Sequence, residues 1–409
     1  MALPSPSTTV VDADWRARAA AVIPGGASTG SKRPDALVGP DWDGSLTHFV
    51  RASGCRLTTT RGTELVDCTM ALGAVALGYA HEGVTQAVTD VVRQGNVAGL
   101  SHVLEVEVAE RLCEVIPCAE QVRFLKSGAE GVAAAIRIAR ACTGRPLVIG
   151  AGYFGWLDWW SSAAGVPAGA HEDFRPVPFD DVDALADAAR AAGDRLAAII
   201  IEPVIERLPS GEWLAEARRA CDALGAVLVF DEMKTGFRLR TGGFQEMAGV
   251  EVDIAVFGKA LANGFPLSAV VGRERVMRAA RTTWISSTLA GEAAALAAAR
   301  AVLDAHSRTD VCAALWERGE TIQRAVGRAM SASGASNVRM RGIPPMWLVD
   351  AGDERRLSRF VALALERGVL FKRGAYNFAS VAHDDAAIEQ IEAAARHAVA
   401  SLAEEGARG

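Results

Sequence analysis

No stretch of this 409-residue chain is apolar over the ~18 residues that a membrane span requires, and runs such as Leu196 to Ile201 stop at a charge. The opening MALPSPSTTVVDADWRARAAAV lacks the charged-then-apolar order of a signal peptide. Seven cysteines (Cys55, Cys68, Cys113, Cys118, Cys142, Cys221, Cys312) form no C-x-x-C pair and stand at no zinc-like spacing with a histidine. A disulfide scaffold and a structural metal are therefore not expected. No basic block or stripe breaks the balance of 43 Lys and Arg against 49 Asp and Glu, a net charge of −6, which argues against nucleic acid as a partner. Internal repeats and low-complexity linkers are missing too. These absences leave a reduced, soluble, cytoplasmic protein.

What is present is a light, Ala-rich chain with 40 glycines, half hydrophobic and 22% charged, enough to bury a large core in more than one lobe. Residues 1–60 read as a short helix and then loops, an N-terminal segment that joins a smaller domain. From 61 to 299, short apolar runs alternate with amphipathic stretches. The runs Leu147–Gly150, Ala197–Ile201, Ala226–Phe230, Ile254–Phe257 and Ser268–Val271 are apolar throughout, as strands buried on both faces are. Helix-like segments such as Glu130–Cys142 and Trp213–Leu224 lie between them, so the expected class is α/β with a mainly parallel central sheet. Residues 300–409, with a long Ala-rich helix, an irregular strand region at Val338–Val349 and a last helix from about Asp384 to Leu402, read as a smaller α+β domain.

In a parallel sheet the ligand site lies beyond the carboxyl ends of the strands. Those ends carry Gly152-Tyr153-Phe154-Gly155, Glu202-Pro203, Asp231-Glu232-Met233 and Gly258-Lys259. Beside them Lys126-Ser127-Gly128-Ala129-Glu130 opens a helix, whose free N–H groups and dipole suit a phosphate. A phosphate cup, a lysine among apolar neighbours, an acid and a flat aromatic together suggest pyridoxal 5′-phosphate. The lysine would form a Schiff base, the acid would keep the pyridine nitrogen protonated, and the aromatic would stack on the ring.

The segments FLKSGAEGVAAAIRIARACTGR, GYFGWLDWW, VFDEMKTGFR, FGKALANGFPLSAVVG and SSTLAGE, in this order from about Pro24 to His383, resemble the class III aminotransferases. The branch that includes glutamate-1-semialdehyde aminomutase is the most similar. The resemblance implies fold type I, the aspartate-aminotransferase-like architecture, in a homodimer. It implies that Lys259 is the Schiff-base lysine and Asp231 the pyridinium partner. Tyr153 would cover one ring face and Met233 the other, with Gly128 and the neighbouring Ser127 and Ala129 at the phosphate. Thr288 would reach that phosphate from the partner subunit, and Glu202 would orient the site from beside it.

The departures from the family pattern bear on the substrate. Tyr-His-Gly is Tyr153-Phe154-Gly155 here, the phosphate cup has Ala129 where a hydroxyl is usual, and Met233 stands where Val is usual. Ser28-Thr29-Gly30-Ser31-Lys32 and Ala262-Asn263-Gly264-Phe265-Pro266 replace the aminomutase's own segments, which favours an aminotransferase over the aminomutase. Phe154 and the group Trp156, Trp159 and Trp160 admit two readings, core packing or an apolar wall near the substrate. Ser127 admits helix capping or phosphate contact, and Asp231-Glu232 admits an N-cap pair. Lys32, Arg33 and Arg373 are candidates for a substrate carboxylate, or plain solvated charges. The resulting expectation is transfer of an amino group from a donor to an aldehyde or ketone in a biosynthetic reaction. The alternatives are an aminomutase, a racemase, or a degenerate non-enzymatic relative.

Overall fold

The computed structural model describes residues 14–42, 46–332 and 338–408; the first 13 residues of the N-terminal segment lie outside the described residues. The chain divides into two compact units, Glu82–Cys312 and a second formed by Met1–His81 with Ala313–Gly409.

The unit 82–312 is built on seven strands: β1 (Gln121–Leu125), β2 (Leu147–Ala151), β3 (Phe174–Pro176), β4 (Leu196–Ile201), β5 (Val227–Asp231), β6 (Ile254–Phe257) and β7 (Ser268–Gly272). They lie in the order β1-β7-β6-β5-β4-β2-β3. Only β7 is antiparallel to its neighbours, so the other six strands point the same way. Strands β2, β4, β5, β6 and β7 are buried along their whole length, which is why their sequences are continuously apolar. Sequence pattern passes over β1 and β3 for a physical reason. They are the two edges, and QVRFL and FRP mix polar with apolar residues because part of each strand meets solvent.

Helix α1 (Gly128–Thr143) opens directly after β1. Its start is fixed by a capping box: the Glu130 N–H donates to Ser127 Oγ at 3.3 Å, and the Ser127 N–H donates to Glu130 Oε2 at 2.8 Å. Its end is fixed by Gly144 at φ 70°. Val132, Ile136 and Ile138 are buried from this helix into the core beside Val148, Ile200, Val229 and Val256, each contributing roughly 1.5–3 kcal/mol. Helix α2 (Ala293–Arg308) is capped by Glu292, and its alanines pack closely against the helices Glu82–Gln94 and Val103–Val115.

The other unit has two small sheets. One joins Phe49–Ser53, Arg56–Thr59, Glu64–Asp67 and Val369–Leu370; the other joins Arg339–Ile343, Met346–Asp350 and Asn377–Phe378. The irregular region at 338–349 is thus an antiparallel hairpin. The last helix runs Asp385–Arg408. The division between units falls at 81/82 and 312/313, not at 60/61 and 299/300. Strand Glu64–Asp67 pairs in parallel with Val369–Leu370, which ties residues past 60 to the C-terminal segment. At the other boundary α2 packs on helices of the unit 82–312 and stays with them. Beyond Asp67 the backbone runs left-handed through Met70, Ala71, Leu72 and Gly73, with φ from 42° to 83°. Asp67 holds this turn by accepting the Thr69 N–H at 2.6 Å and the Tyr79 hydroxyl at 2.5 Å.

Candidate active site

Strand register brings the chemistry to one edge of the seven-stranded sheet. Ala151 pairs with Ile201, Ile201 with Phe230, and Asp231 with Val256, so the residues that follow β2, β4, β5 and β6 emerge side by side. Leu125 pairs with Ser268, and the start of α1 emerges at this same edge.

Asp231, the last residue of β5, is buried and accepts one local hydrogen bond, from the Met233 N–H at 3.0 Å. Burial, reinforced by the charge of Glu202, pushes its carboxyl up to about 7, against the pull of Lys259 and Lys234. Lys259 follows β6 with a left-handed φ of 46°, a strained backbone for a lysine. Desolvation lowers its amine below the ordinary lysine value, while Asp231 and Glu202 act in the opposite sense. A lysine so placed is more readily neutral, which is the form that attacks a carbonyl or accepts a proton.

Glu202, just past β4, stands beside this pair. Its Oε2 accepts the Tyr153 N–H at 3.2 Å, and its Oε1 forms an ion pair with Lys234. Gly152, at φ 141°, has to be glycine here, since a Cβ on it would lie 2.4 Å from Glu202 Cβ. Motif reasoning missed Lys234, which this ion pair brings into the cluster. The signal for it was a lysine three positions past Asp231, in the loop leaving the same strand.

At the start of α1, Ser127 is a cap: its hydroxyl donates to Glu130 Oε2 at 2.9 Å, and its N–H donates to the same oxygen. The donors left to receive an anion are the N–H groups of Gly128 and Ala129, which have no intrahelical acceptor. Gly155, at φ 87°, lies so close that a Cβ on it would stand 2.4 Å from Ala129 Cβ. The Met233 side chain lies between this helix start and the strand end that carries Lys259. A Cβ on Gly128 would come 2.7 Å from its sulfur, and one on Gly258 would come 2.3 Å from its methyl. Lysine, acid, free amides and a thioether floor thus fit pyridoxal phosphate in both charge and shape.

Tyr153 is 65% exposed, its ring set edge-on to Trp160 at 5.5 Å. Phe154 turns the other way. It is buried among Trp159, Trp160 and Phe174, so Phe154 is core, with Trp159 and Trp160 half-buried against it. Of the tryptophan group, Trp156 alone is largely exposed, at 73%. Thr288 is exposed in a cleft of about 530 Å³ that also involves Asn96, Leu100, Ser101 and Glu292. Among the described residues no hydrogen bond joins Thr288 to Lys259 or Asp231. Of the carboxylate candidates, Lys32 is exposed and Arg33 pairs with Asp35 at 3.6 Å. Arg373 is committed to Glu354 at 2.7 Å and Ser358 at 3.4 Å.

The aminotransferase class-III family model matches residues 39–383. The 2′-deamino-2′-hydroxyneamine transaminase of Streptomyces kanamyceticus is 34% identical over 366 residues, spanning 87% of this chain and 92% of that protein. The glutamate-1-semialdehyde 2,1-aminomutase of Methanopyrus kandleri is 30% identical over 425 residues, spanning 94% of this chain and 96% of its own length. Among solved structures, the PLP-bound FumI protein of Sphingopyxis sp. MTA144 matches with a TM-score of 0.91 at 26% identity, covering 96% of this chain and 97% of that one. A transaminase with PLP bound matches at 0.86 and 26%, covering 96% and 98%. The architecture is that of the fold type I transferases.

Proposed function

This chain belongs to the class-III aminotransferases, enzymes that use pyridoxal phosphate to move an amino group, and on that footing we propose Lys259 and Asp231 as its catalytic pair. The observation that carries the assignment is a desolvated Lys259 on whose amine Asp231 acts, with Asp231 itself buried and accepting, among the described residues, one hydrogen bond, from the Met233 N–H. Lys259 would hold the cofactor, which when bound would supply an electrophilic carbon for the donor's amine and a ring able to take up the electrons released at the substrate carbon. Lys259 Nζ, released when the donor's amine displaces it, would then carry a proton from the substrate carbon that bears the amine to the cofactor carbon, and in the opposite direction at the acceptor stage. A carboxylate of Asp231 holds a proton on the ring nitrogen. The Gly128 and Ala129 N–H groups hold the phosphate at the mouth of α1. Met233 forms the floor of the site and Tyr153 its outer face, while Glu202 fixes the turn that bears Tyr153.

The reaction we assign is transfer from a small amino donor to an aldehyde or ketone in a biosynthetic sequence, in the cytoplasm. The transaminase relative named above supports it. No helix among the described residues is long and apolar enough to cross a membrane. We further assign a homodimer in which Thr288 reaches the partner's phosphate. Leu100 and Trp284, each 87% exposed and both on the unit that carries Thr288, are apolar surface that such an interface would cover. A second reading, an intramolecular aminomutase, is motivated by the relative that matches along 94% of this chain. Mass spectrometry of products from a panel of donors and carbonyl acceptors separates the two. Transamination requires a second substrate and yields a second product, whereas conversion of one substrate alone, to a positional isomer separated by chromatography, would establish the mutase.

A further inference from the structure

Two lysines and two acids meet at the carboxyl edge of the sheet, and the catalytic assignment uses only Lys259 and Asp231. Lys234 and Glu202 are a second pair, with side chains only 13% and 10% exposed. Each is anchored by the backbone around it. Lys234 follows Glu232 and Met233, and Glu232 is fixed by the N–H groups of Phe244 and Gln245 at 2.8 and 2.9 Å. Glu202 is pressed against Gly152 and accepts the Tyr153 N–H. The Glu202 charge also acts on the Lys259 amine, favouring its protonated form.

We propose that Lys234 is a positioning residue that engages Glu202, so that Glu202 grips the Tyr153 turn and leaves the Lys259 amine free to react. This rests on Lys259 being the cofactor lysine and extends that reading to a neighbour it does not name. The charged groups acting on Lys259 are Asp231, Lys234, Glu202 and Arg238. Burial favours its neutral form, Lys234 and Arg238 act in the same sense, and Asp231 and Glu202 oppose them. Removing Lys234 deletes one cation and exposes one anion, and both changes hold the proton on Lys259.

The test is capture of pyridoxal phosphate by the apo-protein, followed by absorbance from pH 6 to 10, with folding checked by circular dichroism. Lys234→Met should raise the pH midpoint of capture by about one unit, and so slow capture about tenfold below that midpoint. Lys234→Arg and the double variant Lys234→Met/Glu202→Gln should both return the midpoint toward wild type. Glu202→Gln alone should lower it, which keeps the idea testable if Lys234→Met folds poorly. A midpoint unmoved in Lys234→Met, or a double variant as shifted as the single one, overturns the proposal while leaving Lys259 as the cofactor lysine. Capture that survives Lys259→Ala overturns that assignment, and the proposal with it.

Discussion

Asp231 and Glu232 are neighbours in sequence, both are buried, and burial pushes both carboxyls up to about 7, yet they serve different regions. Glu232 faces the loop behind the sheet. It accepts the Thr235 hydroxyl and the N–H groups of Phe244 and Gln245, and Gly243 leaves no room beside it, since a Cβ there would stand 2.6 Å from its carboxyl carbon. Asp231 faces the ligand edge with one donor and two lysine amines acting on it. The contrast separates architecture from chemistry. A buried carboxylate saturated by local N–H and O–H groups organises the chain, whereas one with unused acceptor capacity beside an amine is available to a ligand.

The largest effect should come from removing the amine that Asp231 faces. Lys259→Ala should cut turnover by about 10⁴-fold or more and abolish the yellow colour of the loaded protein, read by steady-state rate and absorbance. Normal turnover in this variant would end the assignment. Matched alanine substitutions then test the two carboxyls. Asp231→Ala should lower turnover by about 10²–10³-fold, since it removes a preorganised charge from the site. Glu232→Ala should instead lose about 3–5 kcal/mol of stability by stranding three donors around a hole, seen in urea unfolding.

The pH effect has the same sign for both, since both folded values lie above the unfolded ones, and it is the offset on which it rides that separates them. The folded value for Asp231, about 7, lies above its unfolded value, so the folded apo-protein binds the extra proton between about pH 4 and 7. Stability conferred by that proton is present at low pH and lost as pH rises through the folded value. Relative to wild type, apo Asp231→Ala should therefore look better at pH 8 than at pH 5, by about 2–3 kcal/mol. Glu232→Ala should show a pH effect of the same sign but stay destabilised at both, because it also strands the Thr235, Phe244 and Gln245 donors. If the two variants were equally stable at pH 8, the distinction between saturated and unsaturated carboxyls would fail.

Legibility from sequence follows the same physics. The buried strands could be read because burial on both faces leaves only apolar residues, and Lys259 and Asp231 could be singled out as candidates because they stand just past and at the ends of two such strands. Edges β1 and β3 were hidden by their exposure, and the boundary past residue 60 by a pairing with Val369–Leu370 that lies some 300 residues away in the chain. Phe154 and Trp159 were ambiguous, because an aromatic after a strand end can turn into the core or out of it, and only packing decides. Lys234 escaped notice because its partner Glu202 sits on another strand, and no spacing encodes that meeting.

Two smaller effects test the backbone half of the site. Gly155→Ala would put a Cβ 2.4 Å from Ala129 Cβ at a φ of 87°. Its strain of roughly 1–3 kcal/mol should fall on the first turn of α1 and weaken cofactor affinity about tenfold or more, measured by titrating apo-protein. Ser127→Ala should do less. Because the Ser127 hydroxyl is bonded to Glu130, its loss should cost about 1 kcal/mol of stability, as a cap does. Cofactor affinity should move less than threefold, a change of under about 0.7 kcal/mol. A tenfold loss of affinity with unchanged stability would mean that Ser127 gives up its cap to hold the phosphate. Its region would then behave like Asp231, as an acceptor and donor set kept in reserve for the ligand, and not like the saturated Glu232.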